Sequence, residues 1–203
     1  IVAQNNQESY WGTREKYYVM IEQIYNEPHD ISVRTNMDKF WQSWQELSMY
    51  PENKAARQAV VTRGESLTES ISQRFKSLSG IGTLINSDIE ANVKQINDYA
   101  KQIAEINSEI VRSKAMGDNP NDLLDRRDVL VEKLSGLANI TSDQRDSDEF
   151  MVHIDGQVLV QGNVHRGFEL VSNVDNNGYD TVVWNDTKIV EESSDDISET
   201  NVS

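Results

Sequence analysis

Residues 89–110 read IEANVKQINDYAKQIAEINSEI, and the spacing of their apolar side chains decides the fold. From Ile89 to Ile110 the apolar positions recur in steps of four and three residues, as in the seam of a coiled coil. Asn107 falls on this seam, where a polar residue can fix the register at some cost in stability. Two interpretations stay open: Asn107 is buried in the seam, or it faces solvent while Ile106 packs instead.

The same periodicity predicts a longer helix over residues 54–116, which the GDNP sequence at 117–120 ends with a glycine cap and a proline stop. A continuous helix of this length would span about 95 Å, whereas a compact chain of this size is only about 43 Å across. We therefore expect a projecting rod or a break. The predicted break is the Gly-Ile-Gly sequence at 80–82, because glycine destabilises a helix interior.

Two helices are predicted before the long one. Apolar side chains three and four residues apart predict the first over residues 8–25, before Pro28 and Asp30. The second is capped by Thr35 or Asn36 and stops before Pro51. Its predicted apolar face consists of Met37, Phe40, Trp41, Trp44 and Leu47.

A short helix is predicted after Pro120, extending to Leu137 and folding back on the long helix. Asn121 or Asp122 is predicted to cap it, since both side chains can accept a hydrogen bond from the first helical turn.

After Ile140 the pattern changes to the alternation typical of strands. Residues 150–160 alternate around Asp155-Gly156, a sequence that favours a tight hairpin turn. Residues 168–184 predict a second hairpin, around the Asn-Asn-Gly sequence at 176–178. We interpret 141–190 as a small antiparallel sheet, and the acidic, serine-rich residues 191–203 as a disordered tail or an incomplete domain.

The predicted fold class is therefore mainly α with a smaller β part (α+β). It is an elongated antiparallel helical bundle with long coiled-coil-like helices, followed by an antiparallel β domain. The predicted domains are a helical rod over 1–140 and a β-rich outer domain over 141–203.

Composition limits the classes of function. The 203 residues contain no cysteine, which excludes disulfides and thiolate chemistry. The mean hydropathy is −0.63, and no apolar run approaches the roughly 20 residues that a membrane-spanning helix needs. The net charge is −15, and residues 138–203 carry 14 acidic against three basic side chains. Such a field repels nucleic acid and anionic lipid, so neither is an expected partner. The chain opens on Ile1 rather than Met, and we interpret it as a fragment.

The sequence offers no arrangement of catalytic groups that we would assign. His29, His153 and His165 lack a third ligand at a recognisable spacing, so we interpret them as structural or exposed. Asp125 and Asp128 share a helix face, as ordinary capping and surface pairing produce.

The aromatic cluster of Phe40, Trp41 and Trp44 has helical spacing and is predicted to be core rather than a ligand site. No serine elbow or phosphate loop is present in the sequence. We therefore assign no catalytic, cofactor-binding or metal residue, and no cofactor.

Two segments resemble the flagellar hook-associated protein 1 (FlgK) family. The first is FWQSWQELSMYP at 40–51, followed by AARQAVV at 55–61 and GESL at 64–67. The second comprises VKQIN at 93–97, IAEIN at 103–107 and NDLLDRRD at 121–128. Their order and spacing match the family pattern. The resemblance is good over 36–140, weaker over 1–35 and only architectural over 141–203.

The resemblance implies a structural, non-enzymatic component of the bacterial flagellum that joins the hook to the filament. It implies four partners for the full-length protein: further copies of itself in a ring, the hook protein, the neighbouring junction protein and an export chaperone for the C-terminal part. It also implies export to the cell exterior, or to the periplasm where flagella are internal. The tube-forming terminal helices of the family lie outside these residues, so we expect this fragment to be a monomer.

Three alternatives remain at this level. The first is another flagellar axial protein, such as flagellin, the hook protein or the second junction protein. The second is a coiled-coil adhesin stalk with a β head, which predicts a trimer formed through the 89–110 seam. The third is an enzyme, such as a wall-cleaving hydrolase, which requires a cleft with paired carboxylates.

Overall fold

The computed structural model describes residues 2–25, 32–144 and 149–185. Four helices come first: α1 (Val2–Tyr25), α2 (Val33–Met49), α3 (Lys54–Ala115) and α4 (Asn121–Ser135). Six strands follow: β1 (Ile140–Gln144), β2 (Phe150–Ile154), β3 (Gln157–Gln161), β4 (Val164–His165), β5 (Gly167–Ser172) and β6 (Asp180–Asn185). Helices followed by antiparallel strands confirm the predicted α+β class.

Helix α3 is continuous over 62 residues, so the predicted break at 80–82 is wrong. Glycine lowers helix stability by at most about 1 kcal/mol per residue, and a long helix with capping hydrogen bonds at both ends tolerates this cost. At its start, Asn53 Oδ1 accepts a hydrogen bond from Ala55 N–H at 2.8 Å. At its end, Gly117 has φ +84°, as predicted for a left-handed cap, and the Asp118 N–H donates to the Ser113 carbonyl at 3.1 Å.

Helix α2 begins one turn earlier than predicted. Ser32 is its cap, and Ser32 Oγ accepts from the Thr35 N–H at 3.2 Å, so the prediction of Thr35 or Asn36 as the cap is wrong. The helix ends with Tyr50 as its C-cap, which confirms the predicted stop before Pro51. Helix α1 begins at Val2 rather than at residue 8.

The predicted cap of α4 is also wrong. Pro120 occupies the N-cap position and makes no side-chain capping bond, while Asn121 and Asp122 lie inside the first turn. The Pro120 carbonyl accepts the first helical hydrogen bond, from the Leu124 N–H at 3.0 Å, but the proline ring has no atom that could accept a capping bond. The helix ends at Ser135, two residues before the predicted end.

The strands form two antiparallel sheets, one in the order β1-β2-β3-β4 and one of β5 with β6. Both predicted hairpins are confirmed. Asp155 and Gly156 have φ of 49° and 77°, and Asn177 and Gly178 have φ of 53° and 81°. Positive φ at both central residues is what the two-residue turn at Asp155-Gly156 requires. The second hairpin has a longer connection, over residues 173–179, in which a 3₁₀ turn at Val174–Asn176 precedes Asn177 and Gly178. No separate sequence signal pointed to strand β1, because only its first residue is buried and no alternation of apolar residues results. The predicted tail at 191–203 lies outside the described residues.

The chain divides into two compact units. The mixed unit contains the described residues up to Tyr10 and from Asp88 onward, and the helical unit contains Trp11–Ser87. In the helical unit, Phe40 of α2 lies against Gly64 of α3, where an added Cβ would be 3.4 Å from the ring. The predicted domains, 1–140 and 141–203, remain a prediction about the longer protein.

Candidate structural site at the interface of α3 with the strands

The apolar seam of α3 forms the core of the mixed unit. Within this seam Ala100 and Ile103 are fully buried, and Leu134 of α4 and Leu159 of β3 are fully buried in the same cluster. The seam is therefore covered by other elements of the same chain. Asn107 is buried at 3% exposure, so the interpretation that it lies in the seam is confirmed and the interpretation that it faces solvent is wrong. Ile106 is buried beside it, at 6% exposure.

Asn97 joins α3 to the second sheet. Its Nδ2 donates to the Phe168 carbonyl oxygen at 2.8 Å, and the Phe168 N–H donates to Asn97 Oδ1 at 2.8 Å. One amide side chain thus satisfies both main-chain groups of a β5 residue and stands in for a neighbouring strand. We call this pair of hydrogen bonds the Asn97 clamp.

Gly167 makes the Asn97 clamp possible. A Cβ at this position would lie 2.9 Å from Asn97 Oδ1 and 3.3 Å from its Cγ, closer than carbon atoms pack. The lack of a side chain therefore lets the backbone of β5 approach α3. Next to Gly167, the centroids of the Phe168 and Trp184 rings lie 4.2 Å apart, so β5 also makes an aromatic contact with β6.

Asn107 joins α3 to the turn between β3 and β4. Its Nδ2 donates to the Gly162 carbonyl oxygen at 2.8 Å, and its Oδ1 accepts from Arg127 Nη1 of α4 at 3.3 Å. The Gly162 N–H in turn donates to the Phe150 carbonyl of β2 at 3.0 Å. This Asn107 relay connects α4, α3 and the first sheet through buried polar groups, which fix how these elements align.

Arg127 is the charged member of the relay. It is 6% exposed, and its guanidinium carbon lies 3.9 Å from the centre of the Phe150 ring. Burial lowers the pKa of Arg127 from its usual value, and the neighbouring Asp128 charge acts in the opposite direction. Its Nε atom is buried without a hydrogen-bond partner among the described residues. The cation–π contact and the bond to Asn107 therefore offset only part of the desolvation cost.

Of the described histidines, His153 and His165 do not form a common site. His153 Nδ1 lies 3.7 Å from Asp143 Oδ1, whereas His165 is on β4, separated from β2 by strand β3. Within the described ranges, no group of three or more His, Cys, Asp or Glu side chains is arranged to hold a metal ion. His29 lies outside the described residues.

The aromatic cluster of α2 is not a core. Phe40 is half-buried and meets Trp44 edge-to-face at 6.1 Å, but Trp41 and Trp44 are 62% and 47% exposed. The prediction of core is therefore wrong for both tryptophans. The buried residue of α2 is Ser43, whose small side chain presents little apolar surface for a sequence pattern to detect.

The residues that define the interface were only partly visible in the sequence. Asn97 and Asn107 end the two similar segments VKQIN and IAEIN, so the recurrence of an apolar-Asn pair was a usable signal. No sequence pattern pointed to Gly167 or Arg127. Their importance depends on contacts with residues 70 and 20 positions away, respectively.

These features define a structural α+β module in which two asparagines of α3, the buried Asn107 and the partly buried Asn97, bond to main-chain groups of the strands, and no reaction centre is evident among its described residues. No described helix is both long and apolar enough to cross a bilayer. The family model for the flagellar hook-associated protein FlgK helical domain matches residues 18–202.

Similar proteins carry the same name. The flagellar hook-associated protein 1 of Escherichia coli K12 is 36% identical over 138 residues, which cover 66% of this chain and 25% of that protein. The Bacillus subtilis protein of the same name is 28% identical over 159 residues, covering 78% of this chain and 31% of its own length. The solved structure of the flagellar hook junction protein FlgK from Burkholderia pseudomallei superposes with a TM-score of 0.80. Its sequence identity is 27%, and the superposition covers 90% of this chain and 32% of that one.

The fold and these matches accordingly define a module of the flagellar hook-associated type. The chain belongs to the family of the flagellar hook-associated protein FlgK helical domain, and the match to the family model confirms the resemblance that its helical motifs indicated. It spans about a quarter to a third of the length of these relatives.

Proposed function

We propose that the protein containing this chain joins the flagellar hook to the filament. The observation that carries the proposal is the family match over residues 18–202, which includes the Asn97 clamp and the Asn107 relay. A junction that transmits torque needs elements with a fixed mutual alignment. Amide side chains that bond to main-chain groups supply such an alignment, because a shifted register leaves those groups unsatisfied.

The role we propose is structural and not catalytic. Among the described residues, the interface consists of asparagine amides, one arginine and apolar side chains. These side chains do not include an acid paired with a base at a cleft. The polar groups point at main-chain partners inside the unit, where they serve stability. We further propose that residues 1–140 belong to a helical domain of the longer protein and residues 141–203 to a β-rich outer domain.

The proposed partners follow from the junction role. They are further copies of the same protein in a ring, the hook protein on one side and the neighbouring junction protein on the other. An export chaperone that binds the C-terminal part of the longer protein completes the set. The proposed location is outside the cell, or in the periplasm for internal flagella, and the absence of cysteine suits a chain that is exported unfolded.

The adhesin-stalk alternative loses its main support. It requires the 89–110 seam to be free for trimer formation, but Ile103 and Ala100 of this seam are fully buried against α4 and the strands of the same chain. Trimerisation through the seam would first have to remove those elements.

The test is electron microscopy of cells that lack the gene of the longer protein, together with an assay of flagellin in the culture medium. We expect hooks without filaments and flagellin released to the medium, and the wild-type gene should restore filaments. Normal filaments on normal hooks would overturn the proposal and bring the adhesin stalk forward.

A further inference from the structure

A groove with an unusual charge lies beside the interface in the mixed unit. Lys101, Glu105, Ser108 and Arg112 are spaced four, three and four residues apart, which places them on one face of α3. Across from them lie Asn163 and His165, of the turn before β4 and of β4 itself. Together they line a cavity of about 210 Å³.

A second cavity, of about 380 Å³, also borders Ser108, Arg112 and Asn163. The two cavities therefore belong to one groove, with Arg112 at the centre. We call it the Arg112 groove.

The charge of the Arg112 groove is opposite to that of the chain. The chain has 34 acidic and 19 basic side chains, but among the described residues that line the first cavity Lys101, Arg112 and His165 are basic and Glu105 alone carries a carboxylate. Lys101 Nζ lies 3.7 Å from Glu105 Oε1 in a solvent-exposed pair, which binds weakly. One formal positive charge is thus left over in the groove, at Arg112.

The groove also presents neutral donors. The Ser108 hydroxyl and the Asn163 amide line both cavities beside the guanidinium. A guanidinium offers a planar fork of donors that matches the two oxygens of a carboxylate or phosphate. A hydroxyl and an amide next to it can bond the remaining oxygens.

We propose that the Arg112 groove binds an oxyanion, that is, a carboxylate or phosphate group. The first cavity, of about 210 Å³, holds the charged side chains and suits a small anion or a single acidic side chain. The source that we propose is a free anion in solution, and an aspartate or glutamate side chain of a second copy of this chain is the alternative source that the test separates from it. The proposal does not depend on the junction role.

The first arm of the test is a titration of the 203-residue chain with inorganic phosphate, at constant ionic strength, followed by the amide NMR signals. We expect saturable shifts at Ser108, Arg112 and Asn163. Arg112→Gln and Lys101→Gln should each weaken the apparent affinity about two- to five-fold, the range expected for exposed charge pairs.

The matched control is Lys94→Gln, which removes the same charge from an exposed position of α3 outside the groove and should leave the affinity unchanged. The second arm is a dilution series without phosphate. Shifts of the same signals on dilution, lost in Arg112→Gln, identify a second copy as the source, and shifts with phosphate alone identify a free anion. The proposal is overturned if neither series moves these signals, or if Lys94→Gln weakens binding as much as Arg112→Gln.

Discussion

At Asn97 a single side chain satisfies both main-chain groups of Phe168, with two hydrogen bonds of 2.8 Å. Asn97→Ala would leave the N–H and the carbonyl of a partly buried strand residue without these partners. We expect the free energy of unfolding of the mixed unit to fall by about 2 kcal/mol. Hydrogen exchange of the β5 and β6 amides under native conditions measures this loss.

The matched control is Asn92→Ala, at an exposed position one turn and a residue earlier in α3. Both substitutions gain the same helix propensity, so their difference isolates the clamp. Gly167→Ala supplies a second check, because its Cβ would collide with Asn97 Oδ1. It should destabilise the wild type more than it destabilises the Asn97→Ala variant, and equal effects in both would disprove the close approach.

Arg127 carries a buried charge that the Asn107 relay compensates only in part. Burial lowers the pKa of Arg127 from its usual strongly alkaline value, and the guanidinium is charged at neutral pH in both the folded and the unfolded chain. Because the pKa is lower in the folded chain, deprotonation would add stability only at alkaline pH. Its desolvation cost is therefore fully present at neutral pH. Arg127→Met keeps the apolar bulk against Phe150 and removes the charge, so we expect it to change stability by less than about 1 kcal/mol.

Arg127→Ala, by contrast, also leaves a cavity and should cost about 2–3 kcal/mol, which urea unfolding would measure. Arg126→Met is the control at an exposed neighbouring position of α4, where the effect should stay within about 0.5 kcal/mol. Equal large losses for Arg127→Met and Arg127→Ala would show that the charge itself stabilises the fold.

At the scale of elements, the sequence correctly predicted those helices, helix ends and turns that depend on local residue spacing. The α3 seam, the glycine end of α3 and the Asp155-Gly156 turn follow from spacing and backbone preference, and all three are present. The face of α2 was mispredicted because hydrophobicity marks Trp41 and Trp44, while the helix instead buries Ser43. The partner of Asn97 is 71 residues away, and no local pattern encodes such a contact.

Helix α3 and the cap that follows it each contain a glycine at which the same substitution should have opposite effects. Gly80 lies inside the helix with no atom within 4 Å of an added Cβ, so Gly80→Ala should raise the free energy of unfolding by about 0.5–1 kcal/mol. An added Cβ at Gly117 would also meet no atom, but the residue has a φ of +84°, which alanine rarely adopts. Gly117→Ala should therefore lower the free energy of unfolding by about 1 kcal/mol. Thermal unfolding followed by circular dichroism compares the two. A stabilising Gly117→Ala would contradict the left-handed cap.

At the scale of the whole molecule, the burial of the seam decides between a single chain and a coiled-coil trimer. The residues that a trimer would share, Ala100, Ile103 and Ile110, are already covered by α4 and the strands, at exposures of 3% or less. Exchanging these contacts for intermolecular ones would expose Leu134 and Leu159 to water, at a loss of about 1.5–3 kcal/mol for each side chain. We therefore expect the 203-residue chain to sediment as a monomer of 23.1 kDa over a wide range of concentration.

Sedimentation equilibrium measures this mass directly, and Ile103→Asp separates the two models. In a monomer, a charge at this fully buried position unfolds the mixed unit, because an unpaired carboxylate has no partner in the apolar core. In a seam-mediated trimer, the same charge would instead produce a folded monomer. A wild-type mass three times larger, together with a folded Ile103→Asp monomer, would establish the adhesin stalk in place of the junction protein.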